Sequence, residues 1–326
     1  MLIRNILLLL LLPVAFAACS EDEGYETPVP ENRLQNDVIK RSMGPNIVGN
    51  NIEFAYAMAL PPAKGKLSNA QVEATIAGAG PTYLEHRSFY TNGAGQDVGV
   101  VIGAPSVSTG AVTKVDFTVD TSAATLRYFY NVPDAARGKA VSFTFSAQSS
   151  DGEKVTYKMG PYNVSKMDMK LDMVVKDAGN CFISIADMAV YNAADAGTKG
   201  AAIDLVYIYR ALTNATYNHA FVSPVAEAQY LQGATIPVGL TNSCKLVKAW
   251  GLRDVQLSRA AYNVFIDDID FEKTDFTNAP NYAINMKAEA GIWVETADKK
   301  YRAYIYINKI DNAGKGATIS IKRYPL

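Results

Sequence analysis

Residues 126–147 decide the fold: they begin Leu126-Arg127-Tyr128-Phe129-Tyr130-Asn131-Val132-Pro133 and end Val141-Ser142-Phe143-Thr144-Phe145-Ser146-Ala147. In both runs apolar and polar side chains alternate, which is typical of strands with one buried face. A turn is predicted between them, and Asp151-Gly152 after them predicts a hairpin that leads into a strand over 154–158. Three consecutive strands joined by tight turns indicate an antiparallel sandwich.

The same period of two extends towards the N-terminus. It recurs in Ile52-Glu53-Phe54-Ala55-Tyr56-Ala57-Met58 and in Val72-Glu73-Ala74-Thr75-Ile76. The number and spacing of these strands predict an immunoglobulin-like β-sandwich domain over residues 33–165. A Cys…Trp…Cys pattern is missing from this stretch, so the core of an antibody domain is not expected.

Residues 166–326 mix strand and helix patterns. Residues 203–209 are apolar enough for a central strand, and a three-strand meander is predicted over 291–295, 301–308 and 317–324. Short helices are predicted over 223–230, with Ser223 as N-cap, and over 254–261. The second domain is therefore predicted to be α+β and dominated by antiparallel sheet, which makes the chain mainly β overall.

The N-terminus reads as a lipoprotein signal peptide over residues 1–18. Arg4 supplies a positive charge, residues 6–12 are apolar, and Phe16-Ala17-Ala18 places small residues directly before Cys19. We expect the Cys19 thiol to carry a lipid, so that the membrane is contacted through this anchor. Residues 19–32 are acidic and contain prolines, which is typical of a solvated tether.

Acidic residues just after Ser20 resemble the surface-export signal of Bacteroidetes lipoproteins. This pattern predicts a lipid-anchored protein of the outer membrane that is exposed on the cell surface. Retention on the periplasmic leaflet is the alternative.

Composition excludes several classes of protein. The formal net charge is −1, with 31 basic and 32 acidic side chains, so nucleic acid is not an expected partner. No other segment of the sequence approaches the ~20 apolar residues of a membrane-spanning helix. Cys181 and Cys244 match no metal or redox motif, and they are interpreted either as buried small side chains or as a disulfide.

No catalytic residue, metal site or cofactor is predicted. The chain has two histidines, His86 and His219, and neither lies in a sequence motif for catalysis. The acidic stretch Asp267-Asp268-Ile269-Asp270 lacks the spacing of an EF-hand, and the apolar residues between the acids suggest a strand or its exposed end. A solvated face or a set of helix caps explains these acids better than a calcium site or a glycosidase pair does.

Aromatic side chains are the remaining functional resource, with 19 Tyr, 12 Phe and 2 Trp. Exposed rings on β domains can stack on the apolar face of a sugar. Trp250 lies in a loop-like region beside charged residues and is the candidate ligand-binding residue, although burial against the sheet is the alternative. Trp293 alternates within a strand and is expected in the core.

Several long strings resemble an uncharacterised family of Bacteroidetes cell-surface lipoproteins that is defined as a domain of unknown function. The resemblance covers nearly all of the mature chain and rests on Arg33-Leu34-Gln35-Asn36-Asp37-Val38-Ile39-Lys40-Arg41, Ala123-Ala124-Thr125-Leu126-Arg127-Tyr128, Ile203-Asp204-Leu205-Val206-Tyr207-Ile208-Tyr209-Arg210 and Ala279-Pro280-Asn281-Tyr282-Ala283-Ile284-Asn285-Met286-Lys287-Ala288-Glu289-Ala290-Gly291. It implies a cell-envelope lipoprotein, with glycan handling at the surface, and it transfers no catalytic residue.

The expected function is non-enzymatic binding of an extracellular polymer such as a glycan. A structural or assembly role in the envelope through protein contacts, including strand addition at a sheet edge, is the first alternative. A polysaccharide hydrolase is the second.

Overall fold

The computed structural model describes residues 31–212 and 216–326 of the chain. In this part, twenty-one strands form five antiparallel sheets, and four short α-helices connect them. The mainly β fold class predicted from the sequence is confirmed. The predicted signal peptide and the Cys19 anchor lie outside the described residues.

Eleven strands belong to the first half of the chain. They are β1 (Gln35–Lys40), β2 (Asn51–Ala59), β3 (Leu67–Ala74), β4 (Tyr83–Leu84), β5 (Arg87–Thr91), β6 (Asp97–Val101), β7 (Val107–Thr109), β8 (Val112–Asp116), β9 (Ala123–Asn131), β10 (Ala140–Ser149) and β11 (Lys154–Asn163). One sheet has the order β1-β2-β9-β4, and the other has the order β11-β10-β3-β8-β7. Strands β5 and β6 form a separate hairpin.

The two larger sheets of the first half pack face to face, because every second side chain of β2, β9 and β10 is buried between them. The aromatic side chains of these strands point inwards, and the Phe143 ring centre lies 4.9 Å from those of Phe54 and Tyr130. Such edge-on ring contacts add to the hydrophobic stabilisation of a sandwich core. The intervening residues of β2 and β9 therefore face outwards, on the surface that carries the site described below.

The second half has ten strands and four helices. The strands are β12 (Asp168–Lys176), β13 (Phe182–Ser184), β14 (Ala189–Tyr191), β15 (Leu205–Arg210), β16 (Asn218–Val222), β17 (Lys245–Ala249), β18 (Tyr282–Met286), β19 (Gly291–Glu295), β20 (Tyr301–Asp311) and β21 (Gly316–Pro325). The helices are α1 (Ala193–Lys199), α2 (Ala228–Leu231), α3 (Val255–Ser258) and α4 (Asp268–Lys273). The sheets have the orders β12-β21-β20-β19-β17 and β14-β13-β15-β16-β18, with β15 at the centre of the latter.

Both predicted helices are shorter in the structure. Ser223 does not cap a helix, because its hydroxyl oxygen accepts a hydrogen bond from the Cys244 N–H at 2.9 Å and its own N–H bonds to Asn281 O. The chain makes a turn there, and α2 begins only at Ala228. In α3, Asp254 is the N-cap, and the helix ends before Arg259, which has a φ of 56°.

A buried ion pair ties the last strand to α3. The Lys322 ammonium lies 2.7 Å from the Asp254 carboxylate and 2.8 Å from Ile266 O, and both charged side chains are fully buried. Asp254 also accepts hydrogen bonds from the N–H groups of Leu257 and Ile266. A buried charge is tolerated only with such complete pairing.

The two halves pack directly against each other. The Asp268 carboxylate of α4 accepts hydrogen bonds from the Ser165 hydroxyl and from the Lys166 N–H, the latter at 3.2 Å. Ile47 of the first half is fully buried in an aromatic cluster that includes Phe271 of the second half, and Arg137 forms an ion pair with Asp168 at 2.6 Å. Polar and apolar contacts therefore fix the junction on both sides.

Candidate functional site

An open groove of about 500 Å³ lies on the outer face of the first sheet. We call it the hairpin groove, and it is lined by residues 35–37 of β1, 57–59 of β2, 123–125 of β9 and 88–90 of the β5–β6 hairpin. Its volume is in the range of ~300–1,000 Å³ that is usual for ligand sites. It brings together segments that are up to about 90 residues apart in the sequence.

Strand register sets the floor of the groove. Ala59 lies opposite both Gln35 and Ala123, and Ala57 lies opposite both Asp37 and Thr125. Cross-strand partners share a face, so these rows run across the sheet with alanine at their centre. The small side chains leave a shallow trough, and Gln35 and Asp37 form its polar wall.

The hairpin forms the opposite wall and is held by polar contacts. The Ser88 hydroxyl oxygen accepts a hydrogen bond from the Thr125 N–H at 3.0 Å. Arg127 forms an ion pair with Asp97 at 2.7 Å, and its guanidinium lies 5.3 Å from the ring centre of Phe89. The Arg87 guanidinium lies 5.5 Å from the same ring. The contacts of Thr125 and Arg127 fix the hairpin over the start of β9, and the Arg87 contact lies within the hairpin.

Tyr90 is the exposed aromatic side chain of the groove. It is 55% exposed, whereas the neighbouring ring of Phe89 is partly covered by the two arginines. The groove also has amide, carboxylate and hydroxyl groups, on Gln35, Asp37 and Ser88. This combination provides a ring that can stack on an apolar ligand face and polar atoms that can bind hydroxyl groups.

Asp37 is the acidic group of the groove. Its carboxylate accepts a hydrogen bond from the Val38 N–H at 2.8 Å. Among the described residues it forms no ion pair. The groove wall therefore presents a negative charge, which disfavours an anionic ligand.

Trp250, the candidate from the sequence, is exposed but lies elsewhere. It follows β17, its side chain is 54% exposed, and the Lys248 ammonium lies 5.9 Å from its ring. It does not line the hairpin groove. Trp293 is only 8% exposed and packs on Phe271 and Tyr304 in the core.

The acidic stretch forms a helix start, which agrees with the predicted set of caps and not with the strand that its apolar residues suggested. Asp267 is the N-cap of α4, and its carboxylate and that of Asp270 form a capping box. Asp268 binds Ser165 and Lys166 at the domain junction. Asp267, Asp268 and Asp270 occupy the N-cap and the first turn of α4, where the helix N-terminus favours negative charge and side-chain acceptors.

The two histidines have structural partners. His219 is buried, with Nδ1 2.6 Å from the Tyr207 hydroxyl and Nε2 2.8 Å from Asn312 Oδ1. His86 Nδ1 lies 3.3 Å from the Glu85 carboxylate. Within the described ranges, no group of three or more His, Cys, Asp or Glu side chains could hold a metal ion.

Cys181 and Cys244 are buried free thiols. Burial raises the pKa of the Cys181 thiol to about 11, so this thiol is protonated at neutral pH. Cys244 Sγ donates a weak hydrogen bond to the Asp204 carboxylate at 3.6 Å. Both cysteines therefore serve as small core side chains.

Sequence reasoning missed the hairpin groove. A local signal was present, because Asn92-Gly93-Ala94-Gly95 is a turn between two short strands and Tyr90 precedes it. The outward alanines of β2 and β9 also follow from the alternation. Their meeting with the hairpin depends on tertiary structure, which the sequence pattern does not reveal.

Residues 31–212 and 216–326 contain no helix that is long and apolar enough to cross a membrane.

Comparisons with known proteins found two family models of unknown function. "Domain of unknown function (DUF4466)" matches residues 31–164, and "Domain of unknown function (DUF8576)" matches residues 165–326. The crystal structure of a DUF4466 family protein from Parabacteroides merdae is 47% identical, with a TM-score of 0.86, and the match covers 91% of this chain and 100% of that chain.

Two further solved structures are much less similar. The major pilin subunit BcpA of Bacillus cereus is 9% identical, with a TM-score of 0.28 and coverage of 44% of each chain. A C-terminal fragment of the major pilin GBS80 of Streptococcus agalactiae is 12% identical, with a TM-score of 0.28 and coverage of 57% of this chain and 74% of that one. No curated protein matches the chain.

Proposed function

This chain belongs to the DUF4466 family, and from its own surface we propose that it is a non-enzymatic cell-envelope protein that binds an extracellular glycan in the hairpin groove. The observation that carries the proposal is the placement of the exposed Tyr90 ring opposite the polar side chains of Gln35 and Asp37, across a floor of alanines. Sugar rings need a flat apolar partner on one side and hydrogen-bonding groups around their edges. The groove offers both.

The shape of the groove favours a polymer. It is an open trough on a sheet face, so a chain longer than the groove extends beyond it without a clash. Its floor belongs to β2 and β9, which pair over nine residues each. A rigid floor lowers the entropic cost of binding.

Charge selects the class of glycan. Asp37 repels uronic and sialic acids, whereas neutral and amino sugars are not repelled. The two arginines beside the hairpin wall, Arg127 and Arg87, are already paired with Asp97 and Glu85. The proposed ligand is therefore a neutral or amino-sugar polysaccharide.

The proposed location is the outer membrane, with the lipid on Cys19 as anchor and the acidic segment after it as a tether. Display on the cell surface agrees with an extracellular ligand, because the groove then faces the medium. Labelling of intact cells by a membrane-impermeant reagent tests the display, and retention in the detergent phase that is lost in Cys19→Ser tests the anchor. Full protection of the protein in intact cells would place it on the periplasmic leaflet instead.

Affinity electrophoresis of the purified protein against a panel of neutral, amino-sugar and acidic polysaccharides tests the function. We expect retardation by at least one neutral or amino-sugar polymer, without release of reducing ends. Normal migration in every gel would contradict glycan binding. Steady release of reducing ends would show that the protein is a hydrolase.

A further inference from the structure

A second cavity of about 530 Å³ lies in the second half of the chain. Its walls are the turn at 177–179 after β12, the start of β13, the middle of β15, residues 192–194 around the start of α1, and the loop at 233–235. None of these segments contributes to the hairpin groove. The cavity is therefore a separate site.

Opposite charges lie side by side in the cavity wall. Arg210 forms an ion pair with Asp177, and the two side chains are 28% and 11% exposed. Arg210 also donates from Nε to Gln232 O at 3.1 Å and from Nη1 to Tyr209 O at 2.7 Å. These backbone contacts fix the guanidinium in place.

The rest of the wall is mostly apolar. The alanines Ala178, Ala193, Ala194 and Ala234 supply its accessible surface, whereas Phe182 and Val206 also line the cavity but are only 2% and 1% exposed. The Tyr207 hydroxyl is directed to His219, at 2.6 Å. Ala193 and Ala194 are exposed small residues that keep one side open.

From this arrangement we infer that the cavity binds a small zwitterion of the α-amino-acid class. The ligand carboxylate pairs with the Arg210 guanidinium, its ammonium group pairs with the Asp177 carboxylate, and an apolar side chain lies against the accessible alanines of the wall. A fixed cation and anion in contact match the two charges that an amino acid carries on one carbon.

Two other ligand classes fit less well. An anion without an ammonium group would face the Asp177 carboxylate. A sugar would find no exposed ring to stack on, because the two aromatic side chains of the wall, Phe182 and Tyr207, are 2% and 0% exposed. Both observations favour the zwitterion.

Isothermal titration of the purified protein with leucine, phenylalanine and glycine tests this inference. We expect leucine and phenylalanine to bind, glycine to bind more weakly, and N-acetyl-leucine and leucinamide to bind at least about tenfold more weakly than leucine. Each derivative lacks one of the two charges. Binding of none of the amino acids, or equal binding of the blocked derivatives, would overturn the inference.

Variants locate the ligand. Asp177→Asn and Arg210→Gln should each weaken leucine binding at least about tenfold. Ala194→Trp fills the open side, leaves the charged pair in place and should abolish binding, whereas Thr198→Trp on the same helix should bind like the parent. Unchanged binding by Ala194→Trp overturns the assignment even if Arg210→Gln fails to fold. Glycan retardation should be the same in all four variants.

Discussion

Tyr90 and Trp250 show how little exposure alone says about a binding residue. Their side chains are 55% and 54% exposed, but only Tyr90 lies in a groove with polar groups across from it. Trp250 has the Lys248 ammonium near its ring and follows the edge strand β17. The surroundings of the ring, rather than its size or exposure, distinguish the two.

Replacing Tyr90 with alanine should weaken glycan binding about tenfold, because a stacked aromatic ring contributes about 1 kcal/mol or more. Affinity electrophoresis measures the change. Tyr262→Ala is the control, since Tyr262 is 88% exposed and does not line the groove. Equal retardation of the two variants would remove Tyr90 from the site.

Asp204 makes the stability of the second half depend on pH. Burial raises the pKa of its carboxyl to about 6, although the carboxylate accepts a hydrogen bond from the Ile185 N–H at 2.8 Å. Between pH 4 and 6 the unfolded chain has lost this proton and the folded chain retains it. The free energy of unfolding therefore falls as the pH rises through this window and is constant above it.

Asp204→Asn should remove this fall in unfolding free energy, because the amide does not titrate. Relative to the variant, the parent should lose about 2 kcal/mol of unfolding free energy between pH 4 and 7, since each unit of pKa shift corresponds to about 1.4 kcal/mol and the unfolded chain is already partly ionised at pH 4. Urea unfolding at both pH values measures the difference. A difference between the two proteins that does not change with pH would mean that folding does not raise the pKa of Asp204.

At the scale of elements, the strands with strict alternation were predictable. The turn and strands over 126–147 have the predicted form, because every second side chain of β9 and β10 is buried. The bounds of the short helices were not predictable, because a few tertiary contacts determine where a helix of four to six residues begins and ends. Asp254 caps α3 as its position suggests, but Ser223 bonds to Cys244, which is distant in sequence.

The candidate site was predictable only in its parts. The alternation places Ala57 and Thr125 on the outer face, and the glycine turn predicts a hairpin near Tyr90. That the hairpin lies over the start of β9 depends on Ser88, Arg127 and Asp97 meeting in space. No spacing rule encodes such a contact.

Arg127→Gln should loosen the hairpin without unfolding the sandwich. The change removes the ion pair with Asp97 and the contact with Phe89, while the unfolding free energy of the protein should fall by no more than about 1 kcal/mol. Amide hydrogen exchange over residues 87–101 should become faster, and glycan affinity should fall.

Arg259→Gln provides the comparison, because Arg259 pairs with Asp172 at the surface of the second half. It should change neither the exchange of residues 87–101 nor glycan binding. If Arg127→Gln exchanges as slowly as this control, the hairpin is held by other contacts.

At the scale of the whole molecule, the two halves are joined by a short, ordered connection. Sheets of the first half end at Asn163, and those of the second half begin at Asp168. Ser165 and Lys166 bind Asp268 across the junction, and Met167 is fully buried. The hairpin groove and the second cavity therefore belong to bodies that are coupled by packing.

Asp268→Ala should weaken this coupling. Loss of a carboxylate that accepts two hydrogen bonds costs about 2–4 kcal/mol, and the ordered Lys166 N–H loses its partner. Calorimetry should resolve two thermal transitions in place of one. Asp120→Ala, at an exposed position of the first half, should unfold like the parent, and a single unshifted transition in Asp268→Ala would show that the Asp268 contacts do not hold the halves together.

The position of β21 in the chain determines when the second half can fold. The first strand of the second half, β12, pairs with β21, so its partner is synthesised after every other described strand. Lys322, the cation that compensates the buried Asp254, also arrives only with that strand. The second half thus stays open until β21 has been made, whereas the first half already has all its strands, and a chain truncated before residue 316 has one finished half and one that cannot close.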